Sequence, residues 1–187
     1  MSINSINPSA GRILISEPFL QDMYFRRSVV LLADYNEEGS FGLILNKPTE
    51  SRLADVIPEA GDFNPKLFLG GPVQTDALFF VHRLGDQIKG SLPLKGNIAW
   101  GGDVEQIKTM IRDKRISQHD IRFFIGYAGW SPKQLDEELE RNSWVVSDKN
   151  VEKIFDVEAT SLWEYALDSL GGVFRDWKNF PADPTMN

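Results

Sequence analysis

The chain has 187 residues, 42% of them hydrophobic and 25% charged, which suits one globular domain able to bury its own core. A net charge of −7 opposes a broad electrostatic footprint for nucleic acid, whose phosphates are gripped by clustered Lys and Arg. The lack of cysteine excludes disulfides and thiolate chemistry, and His82 and His119 alone leave a zinc site short of its usual ligands.

Residues 1–10 are Ser/Asn-rich and lack the basic and apolar regions of a signal peptide. No run reaches the roughly 18 apolar residues of a membrane span, so the expectation is a soluble cytoplasmic protein with a frayed start. Residues 12–16 read as a first strand, stopped at Glu17-Pro18. Residues 28–33 are continuously apolar and β-branched at their start, as in a strand covered on both faces. Turn residues at 34–40, with Gly39 placed for positive φ, lead into a return strand at 41–46, which predicts a hairpin.

Thr49 or Ser51 is placed to cap a short helix through Ile57, ended by Pro58. Two strands, 67–70 and 77–82, flank a Gly70-Gly71-Pro72 corner. Gly85, Gly90, Pro93 and Gly96 punctuate an irregular stretch, and 97–100 reads as one more strand. Asp103 caps a helix in which Val104, Ile107, Lys108 and Ile111 share a face. A strand at 120–127 is followed by Ser131-Pro132-Lys133-Gln134, an N-cap serine, a first-turn proline and a capping-box glutamine that predict a helix start. Residues 144–146 resume as a strand, and Ser147 and Thr160 are placed to cap the last two helices, to Phe155 and to Leu170 before Gly171. The tail at 180–184 is expected to be mobile. Strands cluster early, helices come late and connections are of hairpin length. The expectation is a single α+β domain over 1–187 with a mixed, largely antiparallel, barrel-like sheet flanked by helices.

Glycine at a strand end permits close backbone approach, while proline forces its predecessor to be extended. Gly70, Gly71 and Pro72 therefore read as a shaped corner; they lack the Gly-Lys-Ser/Thr of a phosphate loop. Asn46 and Lys47 before Pro48 form a polar pair that either makes a turn or borders a pocket. Gly129 and Trp130, set before a helix cap, are the aromatic pocket candidates. Gln134, Glu138 and Asn142 lie one turn apart, so they either line a cleft or bond the ends of neighbouring strands. Neither histidine sits in a pattern that suggests a triad.

Gly11 to Ser16, Phe25 to Leu32, Gly39 to Pro48, Gly70-Gly71-Pro72-Val73 and Gly126-Tyr127-Ala128-Gly129-Trp130 with Gln134-Leu135 and Glu138-Leu139 together resemble the bacterial YqgE/AlgH family, over about Gly11 to Gly171. Each motif alone is weak; five in order are specific. The resemblance implies a mixed barrel-like sheet with flanking helices. It implies no catalytic residues, and it brings a transcription-regulator label that comes with the name rather than with a DNA-binding module. Two departures stand out: Tyr35-Asn36 where relatives commonly carry His, and Lys133 where a small residue is usual.

The expectation is a non-enzymatic regulatory module that binds a small molecule or a protein, with no cofactor or metal. Direct nucleic-acid binding and membrane insertion are not expected, and the oligomeric state is open. The alternatives are a carboxylate-dependent, metal-assisted hydrolase built on Glu138 with Asp34 or Asp22, and a transcription-linked regulator.

Overall fold

The computed structural model describes residues 3–149 and 151–181. In chain order the strands are β1 (Ile13–Ser16), β2 (Val29–Asn36), β3 (Gly39–Ile44), β4 (Pro48–Arg52), β5 (Lys66–Leu69), β6 (Val73–His82), β7 (Leu92–Pro93), β8 (Ala99–Trp100), β9 (Ile121–Trp130) and β10 (Trp144–Ser147). The helices are α1 (Leu53–Val56), α2 (Val104–Arg112), α3 (Gln134–Glu140) and α4 (Leu162–Leu170), with 3₁₀ turns between and after them.

The sheet runs β10-β1-β2-β3-β9-β6-β8-β7, with β5 attached to β9 and β4 to β5. Every pairing is antiparallel except β5 with β9. β9 is the branch point. Its last residues pair with β3 (Ser40↔Trp130, Gly42↔Ala128), while its middle pairs with β5 (Phe68↔Phe124) and along most of its length with β6.

The α+β class and the largely antiparallel sheet match the sequence reading, but the sheet is open rather than barrel-like. The two terminal strands of the path, β10 and β7, do not pair, and β7 and β8 have only two residues each, too few to carry a ladder back to β1. The edge of β10 is covered instead by the leading segment, which the sequence read as frayed. Asn4 donates to Trp144 O and accepts from Val146 N, while Ile3 N donates to Asn142 Oδ1. A covered edge removes a template for intermolecular pairing.

Continuous apolar sequence explains why β1 and the first part of β2 are buried on both faces. α4 packs against one face, where Trp163 Nε1 donates to Ser16 O at 3.0 Å. α2 closes a second core over Leu67, Phe80 and Phe123 through Ile107, Met110 and Ile111. α3 closes a third, around Trp130 and Trp144, through Leu135 and Leu139.

Several boundaries moved. The expected helix after Pro48 is largely β4, since Thr49 Oγ1 bonds Leu67 O across to β5; only Leu53–Val56 is helical, and Asp55 there accepts from Arg52 N. β6 starts at Val73, four residues before the predicted strand, with a register shift before Leu78. Asp103 caps α2 as read, accepting from Glu105 N and Gln106 N. α3 begins at Gln134, later than Ser131, because Lys133 takes a left-handed conformation at φ 65°. The 3₁₀ turns over Gly172–Asn179 carry no sequence signal of the kind used above. Of the predicted mobile tail, residues 182–184 lie outside the described residues. Among the described residues, no helix is long and apolar enough to cross a membrane.

Candidate functional site

A groove of about 580 Å³ opens where the β2–β3 hairpin meets the end of β9. It is lined by Asp34, Asn36, Glu38 and Phe41 of the hairpin, by Val73 of β6 and by Tyr127 of β9, with Asp34 paired directly to Phe41. Gly129 and Trp130 lie at its base, with Ser131 and Pro132 at the exit of β9. The hairpin is held over β9 by Gly39, whose φ is 135° and where a Cβ would fall 2.5 Å from Trp130 O. Phe41 and Tyr127 sit with ring centroids 4.8 Å apart and form an apolar surface beside Asp34.

Trp130 is only 4% exposed, so it supports the groove from beneath. Its Nε1 donates to Glu138 Oε2 at 2.9 Å, and Trp144 Nε1 donates to the same oxygen at 2.7 Å. Gln134 Nε2 donates to Glu138 Oε1 at 3.0 Å, and Ser131 N donates to Gln134 Oε1. Glu138 thus ties β9, α3 and β10 together, as buried indole donors require. Both its oxygens are engaged.

The other sequence candidates sit apart from the groove. Asn46 is buried, accepts from Val29 N and donates to Arg27 O, fastening the loop before β2 to the end of β3. Lys47 donates to Arg26 O at 2.6 Å, and burial, aided by the nearby Arg26 charge, lowers its pKa. At Gly70 a Cβ would lie 2.2 Å from Gly126 O, and at Gly71 it would lie 2.1 Å from the Tyr127 carbonyl. That corner is packed backbone to backbone against β9, and Pro72 beside it is exposed.

The carboxylates weighed for hydrolysis belong to separate networks. Asp22 accepts from Tyr24 N and Phe25 N, whereas Asp34 accepts from Asn36 Nδ2 at the groove. His82 is fully buried, and Leu84 N donates to its Nδ1 at 3.2 Å. The proton therefore sits on Nε2, which faces Gly101 O and Ser91 Oγ, and burial lowers the imidazole pKa. His119 is exposed in the loop before β9. Tyr35 donates to Asp136 Oδ1 at 2.6 Å, linking the hairpin to α3; that bond pushes its pKa up to about 12.

Of the residues singled out from the sequence, Gly129, Trp130 and Asp34 line this groove. Glu38, Phe41 and Tyr127 were missed, since each reads locally as a turn or core residue and only the β3–β9 pairing brings them together. No group of three or more His, Cys, Asp or Glu side chains suited to a metal occurs among the described residues.

The model of the AlgH-like family matches residues 13–175. A UPF0301 protein of Cytophaga hutchinsonii is 45% identical over 178 residues, covering 95% of this chain and 98% of its own. Another from Bacteroides thetaiotaomicron is 43% identical over 185 residues, covering 98% of this chain and 94% of its own. The solution structure of the AlgH protein from Pseudomonas aeruginosa superposes with a TM-score of 0.72 at 26% identity, covering 94% of this chain and 98% of that one. A crystal structure of a Corynebacterium diphtheriae protein, 23% identical with a TM-score of 0.76 and 94% coverage of both chains, shares the fold. With its motifs, its strand order and a family match that takes in residues of all three cores and the groove, the chain belongs to the AlgH-like family.

Proposed function

We propose that this protein is a non-enzymatic regulatory module that binds a cationic ligand, an amine or guanidinium compound of small-molecule size, in the groove between the β2–β3 hairpin and the end of β9. The observation that carries this reading is the make-up of the groove: the carboxylates of Asp34 and Glu38 and the rings of Phe41 and Tyr127 line one space of about 580 Å³, with Asp34 paired directly to Phe41 across the β2–β3 ladder. Carboxylates supply charge complementarity and aromatic faces attract cations, so together they favour a positively charged group over an anion. The engagement of Glu138 by two indoles and Gln134 occupies three of its roughly four acceptor sites and favours a fastening role over acid/base work.

Native mass spectrometry of protein isolated gently from its own host tests this. A discrete excess mass that disappears in Asp34→Asn combined with Tyr127→Ala supports the reading. A clean mass, followed by no amide shifts around the groove on titration with spermidine and arginine, rejects it. Turnover of a substrate that is abolished by Glu138→Gln without loss of fold would replace binding with the hydrolase.

A further inference from the structure

At the opposite end of β9, roughly 30 Å away along ten extended residues, a second cavity of about 340 Å³ is lined by Arg52, Pro65, Lys66, Phe68, Gln118, Ile121 and Arg122. Three of these seven are cationic and none is acidic. Their placement follows from strand register. Arg52 on β4 pairs directly with Lys66 on β5. The β5–β9 register, Phe68↔Phe124, carried back two residues puts Lys66 beside Arg122 on the same face. Arg52, Lys66 and Arg122 therefore form a row across three adjacent strands, spaced by about 5 Å per strand.

Like charges opposite one another on a sheet are destabilising unless something compensates them. Among the described residues no salt bridge does so: the salt bridges use Arg83, Lys95, Lys108, Arg112, Arg141 and Lys178, and the Asp55 carboxylate nearby accepts from Arg52 N. Arg122 is held, not neutralised. Its Nη1 donates to Leu45 O at 3.0 Å, and its guanidinium lies 4.6 Å from the Phe68 ring centroid and 5.8 Å from that of Phe155. Glu158 acts on it only through its field. Arg52 Nη1 donates to Asn64 O at 2.9 Å, which turns that guanidinium along the same strand end.

We infer that this cavity is an anion site for a phosphoryl group, either free inorganic phosphate or the head of a small phosphomonoester, gripped by Arg52, Lys66 and Arg122 with Gln118 as a neutral donor. Guanidinium forks match the geometry of phosphate oxygens, and a phosphoryl group has enough acceptors for three cationic partners at once. The cavity is at the small end of ligand pockets, which fits a compact anion. Burial lowers the Arg122 pKa to about 10, so it still carries its charge at neutral pH and gains most from an anionic neighbour.

Thermal melts at constant ionic strength, with chloride replaced stepwise by phosphate or by glycerol 3-phosphate, test the inference. Wild type and the exposed control Lys153→Gln should show the same saturable rise in Tm. Lys66→Gln and Arg52→Gln, both at exposed positions, should melt normally in chloride yet need at least fivefold more ligand for half of the rise. In ¹H–¹⁵N spectra the amides of Lys66, Gln118 and Arg122 should shift along one saturation curve. Tighter binding of the ester by tenfold would identify a phosphomonoester as the ligand, and equal binding would identify phosphate itself. A rise linear in concentration and equal in all four proteins is solvent exclusion and overturns the site, as does no rise at all. The outcome is independent of the groove at the other end of β9.

Discussion

Trp130 and Trp144 share one acceptor: their indole N–H groups meet at Glu138 Oε2, 2.9 and 2.7 Å away, with the rings T-shaped at 6.1 Å. This makes a carboxylate on α3 the fastener between the end of β9 and the edge strand β10. Removing it leaves two buried donors without a partner. Glu138→Ala should therefore destabilise the protein by about 2–4 kcal/mol, and Glu138→Gln, which keeps one carbonyl oxygen, by about half as much. Urea unfolding followed by tryptophan fluorescence reads both; equal and negligible effects would remove Glu138 as a fastener.

The Gly70 corner separates steric from conformational cost. At Gly70 a Cβ would strike Gly126 O at 2.2 Å and a Leu43 methyl at 2.9 Å, while at Gly61, φ 57°, nothing lies within 4 Å. Gly70→Ala should cost 3 kcal/mol or more, beyond ordinary overpacking, since the clash is with backbone. Gly61→Ala should cost less, about 1–3 kcal/mol, since its φ 57°, ψ −126° is a backbone conformation that L residues rarely adopt but no neighbour is struck. Chemical denaturation of the two variants gives the ratio.

Lys133 holds a left-handed conformation, φ 65°, immediately before α3. Its side chain is exposed and makes no salt bridge among the described residues. Lys133→Gly should then stabilise the fold by up to about 1 kcal/mol, seen as a higher denaturation midpoint at unchanged slope. A lower midpoint would mean that the lysine makes a contribution through its side chain.

His82 is buried in its neutral form, with Leu84 N donating to Nδ1. Its folded pKa lies below the ordinary histidine value, so the stability it contributes is present above about pH 6.5 and is lost as pH falls below it, where only the unfolded chain takes up the proton. Unfolding free energy measured from pH 7.5 downwards should decline more steeply in wild type than in His82→Gln. Parallel curves would show that the buried imidazole is not the acid-sensitive group.

Much of the fold was legible because short-range chemistry repeats it. Val29 to Ala33 and Ile13 to Ile15 announce buried strands by continuous apolar sequence, Asp103 announces α2 by its cap, and Gly171, φ 76°, ends α4. Thr49 misled, since its hydroxyl serves the β4–β5 ladder rather than a helix cap, and a capping residue carries no record of which partner is nearer. The open sheet was equally hidden: strand composition does not encode whether the first and last strands meet.

The sequence by itself determined the α+β class, the family, the shaped glycine corners and the polar stripe Gln134–Glu138, all set by neighbours within a few residues or by motif order. Only the tertiary structure decided what those residues serve. It turned Glu138 into a shared acceptor for two indoles eight and six residues away in the chain but on different strands. It gathered Asp34 and Glu38 with Phe41 and Tyr127 around one groove, and it aligned Arg52, Lys66 and Arg122 across three strands. The physical reason is register: side chains separated by 14 and 56 positions become neighbours only when hydrogen-bonded ladders choose which residues lie side by side.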